Sequence, residues 1–167
     1  MAITDALLPE FDHEMASTRK CLERIPEGQL EWRPHPKSWT FKAIGVHLAR
    51  IPAWGSKIAA TESVDMPGDA GPEFAEECHS VAEILAAFDR NAAAGRAAIA
   101  RLDDAAMMTP WTFNWNGRAV MQMPRAAALR TLVYSHTIHH RGQFTMYLRL
   151  CDLPMPGLYG PSADEAM

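Results

Sequence analysis

Cysteine is scarce in this sequence, with 3 Cys among 167 residues. Cys21, Cys78 and Cys151 are odd in number and widely spaced, which excludes a small disulfide scaffold. No two of them have the spacing of metal ligands. We therefore expect reduced thiols, as in a cytoplasmic protein.

Basic residues are too few to create a general positive field. The 16 Lys and Arg stand against 20 Asp and Glu, and the formal net charge is -4. Because binding to a phosphate backbone depends on such a field, we expect no nucleic-acid partner.

Long hydrophobic runs are absent as well. No apolar stretch approaches the roughly 20 residues that span a bilayer. The first ten residues carry Asp5 and Glu10, whereas a signal peptide begins with basic residues. We expect no membrane partner. The length and the 48% share of hydrophobic residues predict one globular domain, residues 1–167.

Apolar residues recur at helical spacing in four segments, separated by Pro, Gly and polar clusters. This pattern predicts an all-α fold, a four-helix bundle with long connections. Pro52 should kink the second helix, and Ser80 with Glu83 forms a capping box before the third. The stretch Trp111–Met121, around an Asn116-Gly117 turn, predicts a short β-hairpin before the last helix. The helices should begin near Asp5, Ser38, Ser80 and Pro124, with a long loop from Thr61 to His79 and the last helix ending near Cys151.

The last predicted helix carries two histidines on its apolar face. His136 and His140 are four residues apart, so their imidazoles lie one turn above the other and can approach one ion. His47 lies in the middle of the apolar face of the second helix. An unsatisfied buried imidazole costs about 1–3 kcal/mol, and one divalent ion would satisfy all three rings. The alternative is a structural or surface pair, because 7 His in 167 residues give about 0.3 such pairs by chance.

Two stretches of the sequence carry a family resemblance. One is Tyr134–Gln143 (YSHTIHHRGQ), followed by Pro154–Asp164; the other is Trp32–Thr40, which leads into Gly45–Leu48. Together they resemble the DinB family of helix-bundle metalloproteins. The resemblance covers almost the whole chain, and the first helix and the Thr61–His79 loop contribute least to it.

The resemblance implies a four-helix bundle that holds one divalent transition metal on His47, His136 and His140. Nickel or zinc is the expected metal, with iron, copper and manganese not excluded. The resemblance also implies a homodimer, and the ten methionines of the chain suit adaptable contacts. The wider superfamily includes thiol-dependent S-transferases and a maleylpyruvate isomerase.

The residues beside the histidines allow further expectations. Gln143 should accept a hydrogen bond from a ligand imidazole, and His139 should lie beside the site or face solvent. Arg141 points away from the apolar face, where a surface or interface ion pair is expected. Thr137 stands where a zincin helix has Glu, so a protease of that type is not expected. Since neither ligand-bearing face carries a carboxylate, no catalytic residue is assigned.

Three functions remain open from the sequence. The first is a metal-dependent enzyme that activates a low-molecular-weight thiol or water for attack on a small electrophile. The second is a metal-dependent hydrolase of a small ester or amide, which would share the same site. The third is a non-catalytic metal-binding bundle that acts through dimerisation or ligand binding. Six aromatic residues either line an apolar pocket or, as we favour, cover the core: Trp32, Trp39, Trp54, Trp111, Phe113 and Trp115.

Overall fold

The chain is mainly helical with one small sheet, as seen in a computed structural model that describes residues 2–67 and 78–166. Within these ranges, no helix combines the length and the apolar character that a membrane crossing requires. The helices are α1 (Ile3–Leu22), α2 (Phe41–Arg50), α3 (Ala53–Ala60), α4 (Val81–Ile99), α5 (Asp104–Met108), α6 (Arg125–Leu129) and α7 (His136–Leu150). A 3₁₀ turn lies at Glu27–Gln29, and a π-helical segment, Arg130–Ser135, joins α6 to α7. The strands are β1 (Ser63–Met66), β2 (Pro110–Trp115) and β3 (Arg118–Pro124).

Side-chain caps explain where two of these helices begin. The Thr40 hydroxyl accepts a hydrogen bond from the backbone N–H of Ala43 at 3.1 Å, so α2 starts later than the predicted Ser38. Ser80 caps α4 as predicted, since its hydroxyl accepts from the N–H of Glu83 at 3.2 Å. The Glu83 carboxylate accepts from the N–H of His79 rather than from that of Ser80. The predicted capping box is therefore offset by one residue.

Pro52 divides the second predicted helix into α2 and α3. It keeps dihedrals in the helical region, with φ -60° and ψ -26°, and the next turn is closed by i→i−3 hydrogen bonds from Trp54 N to the Ile51 carbonyl and from Gly55 N to the Pro52 carbonyl. A Cβ on Gly95 of α4 would lie 2.4 Å from the Pro52 carbonyl oxygen, and one on Gly55 would lie 3.2 Å from the Gly95 Cα. Only glycine allows this close approach, which fixes α3 against α4.

The predicted hairpin is present, and its turn has Asn116 at φ 50° and Gly117 at φ 71°. This is the geometry of a type I′ turn. The prediction was wrong in omitting β1, which pairs parallel with β2 and places Ser63 opposite Thr112. The result is a mixed three-stranded sheet in the order β1-β2-β3. β1 lies inside the predicted loop, Thr61 to His79, and the remainder of that loop includes residues 68–77, which lie outside the described residues.

One core joins the helices. α4 packs against α1, α2 and α3, and α7 packs against α1 and α2. The structure thus confirms a mainly helical fold, but the predicted four-helix bundle with a hairpin is too simple, because the second helix is two helices and the sheet is mixed. The largest fully buried apolar side chains are Phe11, Leu22, Phe41, Ile44, Leu48, Ile51, Ile58, Phe88, Trp111, Tyr134 and Phe144.

Candidate metal centre

Three imidazoles from two helices meet at the contact between α2 and α7. His47 comes from α2, and His136 and His140 come from successive turns of α7. The ring centroid of His47 is 4.9 Å from that of His136 and 4.4 Å from that of His140, and the last two are 4.7 Å apart. One nitrogen of each ring lies within 4.8 Å of the others. In residues 2–67 and 78–166, this is the only such group of His, Cys, Asp and Glu side chains.

The spacing of one pair of nitrogens fits a shared ion. The Nε2 atoms of His47 and His136 are 3.1 Å apart. Two imidazole nitrogens at about 2.0–2.1 Å from the same ion would be this far apart if the angle at the ion were about 100°. That angle lies between the tetrahedral and octahedral values, so the spacing accommodates either geometry.

Burial keeps the three rings neutral. Desolvation, followed by repulsion from the neighbouring imidazoles, lowers the pKa of His47 to about 3 and that of His136 to about 4. The pKa of His140 is lowered as well, mainly by burial. Neutral imidazoles offer their lone pairs to a cation, which is the form that metal binding requires.

Hydrogen bonds orient two of the rings. The Gln143 amide oxygen lies 2.8 Å from Nδ1 of His140. An amide oxygen can only accept, so the ring proton lies on Nδ1 and the Nε2 lone pair is free. The His136 ring hydrogen-bonds to the Leu132 carbonyl, while the backbone N–H of His136 bonds to the carbonyl of Val133. The His136 ring thus takes its acceptor from within the π-helical segment that precedes α7.

Two aromatic rings border the cluster on the solvent side. The indole of Trp39 is 38% exposed, stacks on the His140 ring at 5.2 Å and lies 4.8 Å from the His47 ring. His139 is exposed, with its ring 4.8 Å from that of His140. The structure thus places His139 in solvent at the edge of the cluster.

Arg141 is not at the surface, contrary to expectation. Its side chain is 1% exposed and forms an ion pair with the Glu14 carboxylate on α1, whose side chain is 4% exposed. The guanidinium also donates to the Thr18 hydroxyl at 3.2 Å and to the Tyr159 hydroxyl at 2.5 Å. Glu14 lies 127 residues before Arg141, so helical periodicity alone did not indicate the pair.

The converging side chains contain no carboxylate and no thiol within the described ranges. Cys21, Cys78 and Cys151 lie outside this cluster. An ion held by three neutral rings keeps its whole positive charge and has coordination positions left for other molecules. Such an arrangement can bind and polarise a small ligand.

Comparison with known proteins identifies a family. A family model described as the DinB superfamily matches residues 10–144. The uncharacterized protein YrdA of Bacillus subtilis (strain 168) is 29% identical over 175 residues, which cover 96% of this chain and 90% of that protein. The crystal structure of a DinB-like protein from Bacillus cereus ATCC 10987 has a TM-score of 0.72 at 24% identity, covering 95% of this chain and 98% of that one. The crystal structure of the DinB-like protein YjoA from Bacillus subtilis has a TM-score of 0.71 at 14% identity, covering 92% of this chain and 96% of that one. These two structures share the fold.

Proposed function

Because the chain belongs to the DinB superfamily, and because three of its imidazoles converge, we propose that it binds one divalent transition-metal ion through His47, His136 and His140. Nickel and zinc are the metals we favour. Imidazole ligands also suit copper and iron. The observation that carries the proposal is the 3.1 Å separation between two half-buried, neutral ring nitrogens on different helices.

We propose further that the protein is an enzyme that activates a low-molecular-weight thiol, or water, for attack on a small electrophile. A bound divalent ion lowers the pKa of a coordinated thiol or water and so supplies the nucleophile. The chain holds the ligand rings neutral by burial. Gln143 fixes the ring proton of His140, and Trp39 covers one side of the cluster.

The first experiment measures metal content. Protein expressed with nickel and zinc, and purified without chelator, should contain close to one equivalent of a divalent ion. The double variant His136→Ala plus His140→Ala should contain none. The matched control is His13→Ala plus His35→Ala, which removes two exposed histidines that are not part of the cluster. Metal-free wild-type protein, or equal metal loss in the control, would contradict the proposal.

The second experiment asks which nucleophile is used. Cobalt-substituted protein is titrated with glutathione, bacillithiol, mycothiol and cysteine, with His47→Ala as the control. Thiolate coordination adds an intense sulfur-to-metal charge-transfer band in the near ultraviolet. A saturable band with one thiol, together with thermal stabilisation by that thiol, supports thiol transfer. Metal-dependent hydrolysis of activated esters or amides without such a band supports the hydrolase, and a negative result in both assays supports a non-catalytic protein.

We also propose that the substrate is a small molecule. We propose further that the protein is a homodimer. Met146 and Leu150 lie one turn apart on α7 and are 56% and 59% exposed. An exposed apolar pair on one face of α7 supports a contact surface there. Light scattering should give a dimer mass at tens of micromolar, and Leu150→Lys should shift it toward the monomer. A monomer mass for the wild-type protein would reject the proposal.

A further inference from the structure

A face of α2 and α3 extends from the histidine cluster and carries two cations and an indole. His47, Arg50, Trp54 and Lys57 follow one another at intervals of three, four and three residues. These side chains lie near one another, because the charge of Arg50 acts on both His47 and Lys57 and the Lys57 ammonium lies over the Trp54 ring. At 5.4 Å per turn, Arg50 lies about one turn and Trp54 about two turns from His47.

Aromatic rings continue this face onto the sheet. The Lys57 ammonium lies over the Trp54 ring, 4.8 Å from its centroid. Trp54 meets Phe113 of β2 edge to face at 5.8 Å, and Phe113 contacts Trp115 at 6.4 Å. Trp115 is 39% exposed. Apolar ring surface and a positive charge are therefore presented side by side.

Lys57 differs from several bases in the described part of the chain, which pair with carboxylates. Arg19, Arg24, Lys42, Arg96, Arg130, Arg141 and Arg149 each form an ion pair with a carboxylate. Across residues 2–67 and 78–166, Lys57 has no carboxylate partner of this kind. Burial and the nearby charge of Arg50 both lower the pKa of Lys57. An incoming anion would relieve both effects, and a dication at the histidine cluster would strengthen the attraction.

We propose that Lys57 binds the carboxylate of a ligand, while Trp54 and Phe113 contact an apolar group attached to that carboxylate. The reacting atom of the same molecule lies at the histidine cluster. This inference rests on the proposed function, because the cluster supplies the reacting position. The carboxylate belongs either to the thiol or to the electrophile. In both cases it lies about 10–15 Å from the reacting atom, the distance of two to three helical turns, because Trp54 and Lys57 lie seven and ten residues after His47.

The test compares charged ligands with uncharged partners of similar shape. Zinc-loaded protein is titrated in a calorimeter with two pairs of ligands. The first pair, 3-phenylpropionate and the uncharged 3-phenylpropanamide, represents the electrophile. The second pair, glutathione and its diethyl ester, represents the thiol. The variants are Lys57→Met, which removes the charge, and Lys57→Arg, which keeps it. Lys20→Met is the matched control, because Lys20 is an exposed lysine on α1. The 3-phenylpropionate titration is repeated on chelator-treated protein.

The charged member of at least one pair should bind more tightly to the wild-type protein, and Lys57→Met should weaken its binding by about fivefold. Lys57→Arg and Lys20→Met should retain the preference. The pair that responds identifies which molecule carries the carboxylate.

Equal affinity within both pairs, or an equal loss in Lys20→Met, overturns the inference. If zinc binds but affinity does not depend on Lys57, the proposed function stands and this inference fails. If the protein takes up no zinc and 3-phenylpropionate binding still depends on Lys57, the anion site stands and the proposed function fails.

Discussion

The hydrogen bond between Gln143 and His140 gives a direct test of the proposed metal centre. Replacing Gln143 by Leu removes the acceptor that holds the ring proton on Nδ1, 2.8 Å away. The imidazole of His140 can then rotate or change tautomer, which interferes with binding through Nε2. We expect the Gln143→Leu protein to fold normally, because Gln143 is exposed, and to bind metal less tightly.

The size of the effect follows from the exposure of the pair. Removing a side chain that orients a metal-binding histidine typically lowers metal affinity 10–100-fold. Water can replace part of the lost hydrogen bond at an exposed position, so we expect the lower end of this range. A tenfold loss corresponds to about 1.4 kcal/mol of binding free energy. Gln143→Glu, which keeps an acceptor and adds a negative charge, should bind metal at least as tightly as the wild-type protein.

The assay is competition for zinc with a chelator of known affinity, followed by absorbance. Gln122→Leu is the matched control, since Gln122 is an exposed glutamine on β3 whose side chain hydrogen-bonds to the Thr112 hydroxyl at 3.2 Å. If Gln143→Leu binds zinc as tightly as the wild-type protein does, or if both glutamine variants lose affinity equally, the ring-orientation argument is refuted.

Two further predictions concern Arg141 and Trp39. Arg141→Met leaves the buried Glu14 carboxylate without its cation, and it should lower the free energy of unfolding by about 3–5 kcal/mol in denaturant titrations. Arg149→Met breaks an ion pair whose Arg is 41% exposed, so it should lower the free energy of unfolding by less than about 1 kcal/mol. Similar losses of stability in the two variants would contradict the burial of Arg141 and Glu14. Copper or nickel should quench the fluorescence of Trp39, because its ring is stacked on that of His140 at 5.2 Å. Trp39→Phe should then remove most of the metal-dependent quenching, and unchanged quenching would place the metal elsewhere.

Apolar periodicity and capping residues predicted the long helices, because both signals depend only on residues that are close together in the sequence. Ser80 caps α4 in the structure, and Asn116-Gly117 forms the predicted turn. The family resemblance, carried by the histidine-rich stretch and by the approach to His47, is confirmed by the match over residues 10–144. The structure also brings together the three histidines that periodicity had placed on the inward faces of two helices.

The remaining features depend on contacts between distant parts of the chain. β1 has only four residues, two of them apolar, and it forms a strand by pairing with β2 about 50 positions later. The close contact of Gly95 with Pro52 requires the tertiary packing of α3 on α4. The burial of Arg141 similarly depends on Glu14 from α1. A single sequence shows the residue types in these cases, but it does not show their partners.

The two sides of α7 together determine how the candidate metal centre is oriented. One side carries His136 and His140 toward His47, and another carries Arg141 toward the buried Glu14 carboxylate. Rotating α7 by one residue, about 100°, would separate the ion pair and the imidazole cluster at the same time. An uncompensated buried charge costs about 3–5 kcal/mol, so the ion pair opposes this rotation even without a metal. The imidazoles are therefore held close together before an ion binds, which reduces the ordering that metal binding must impose.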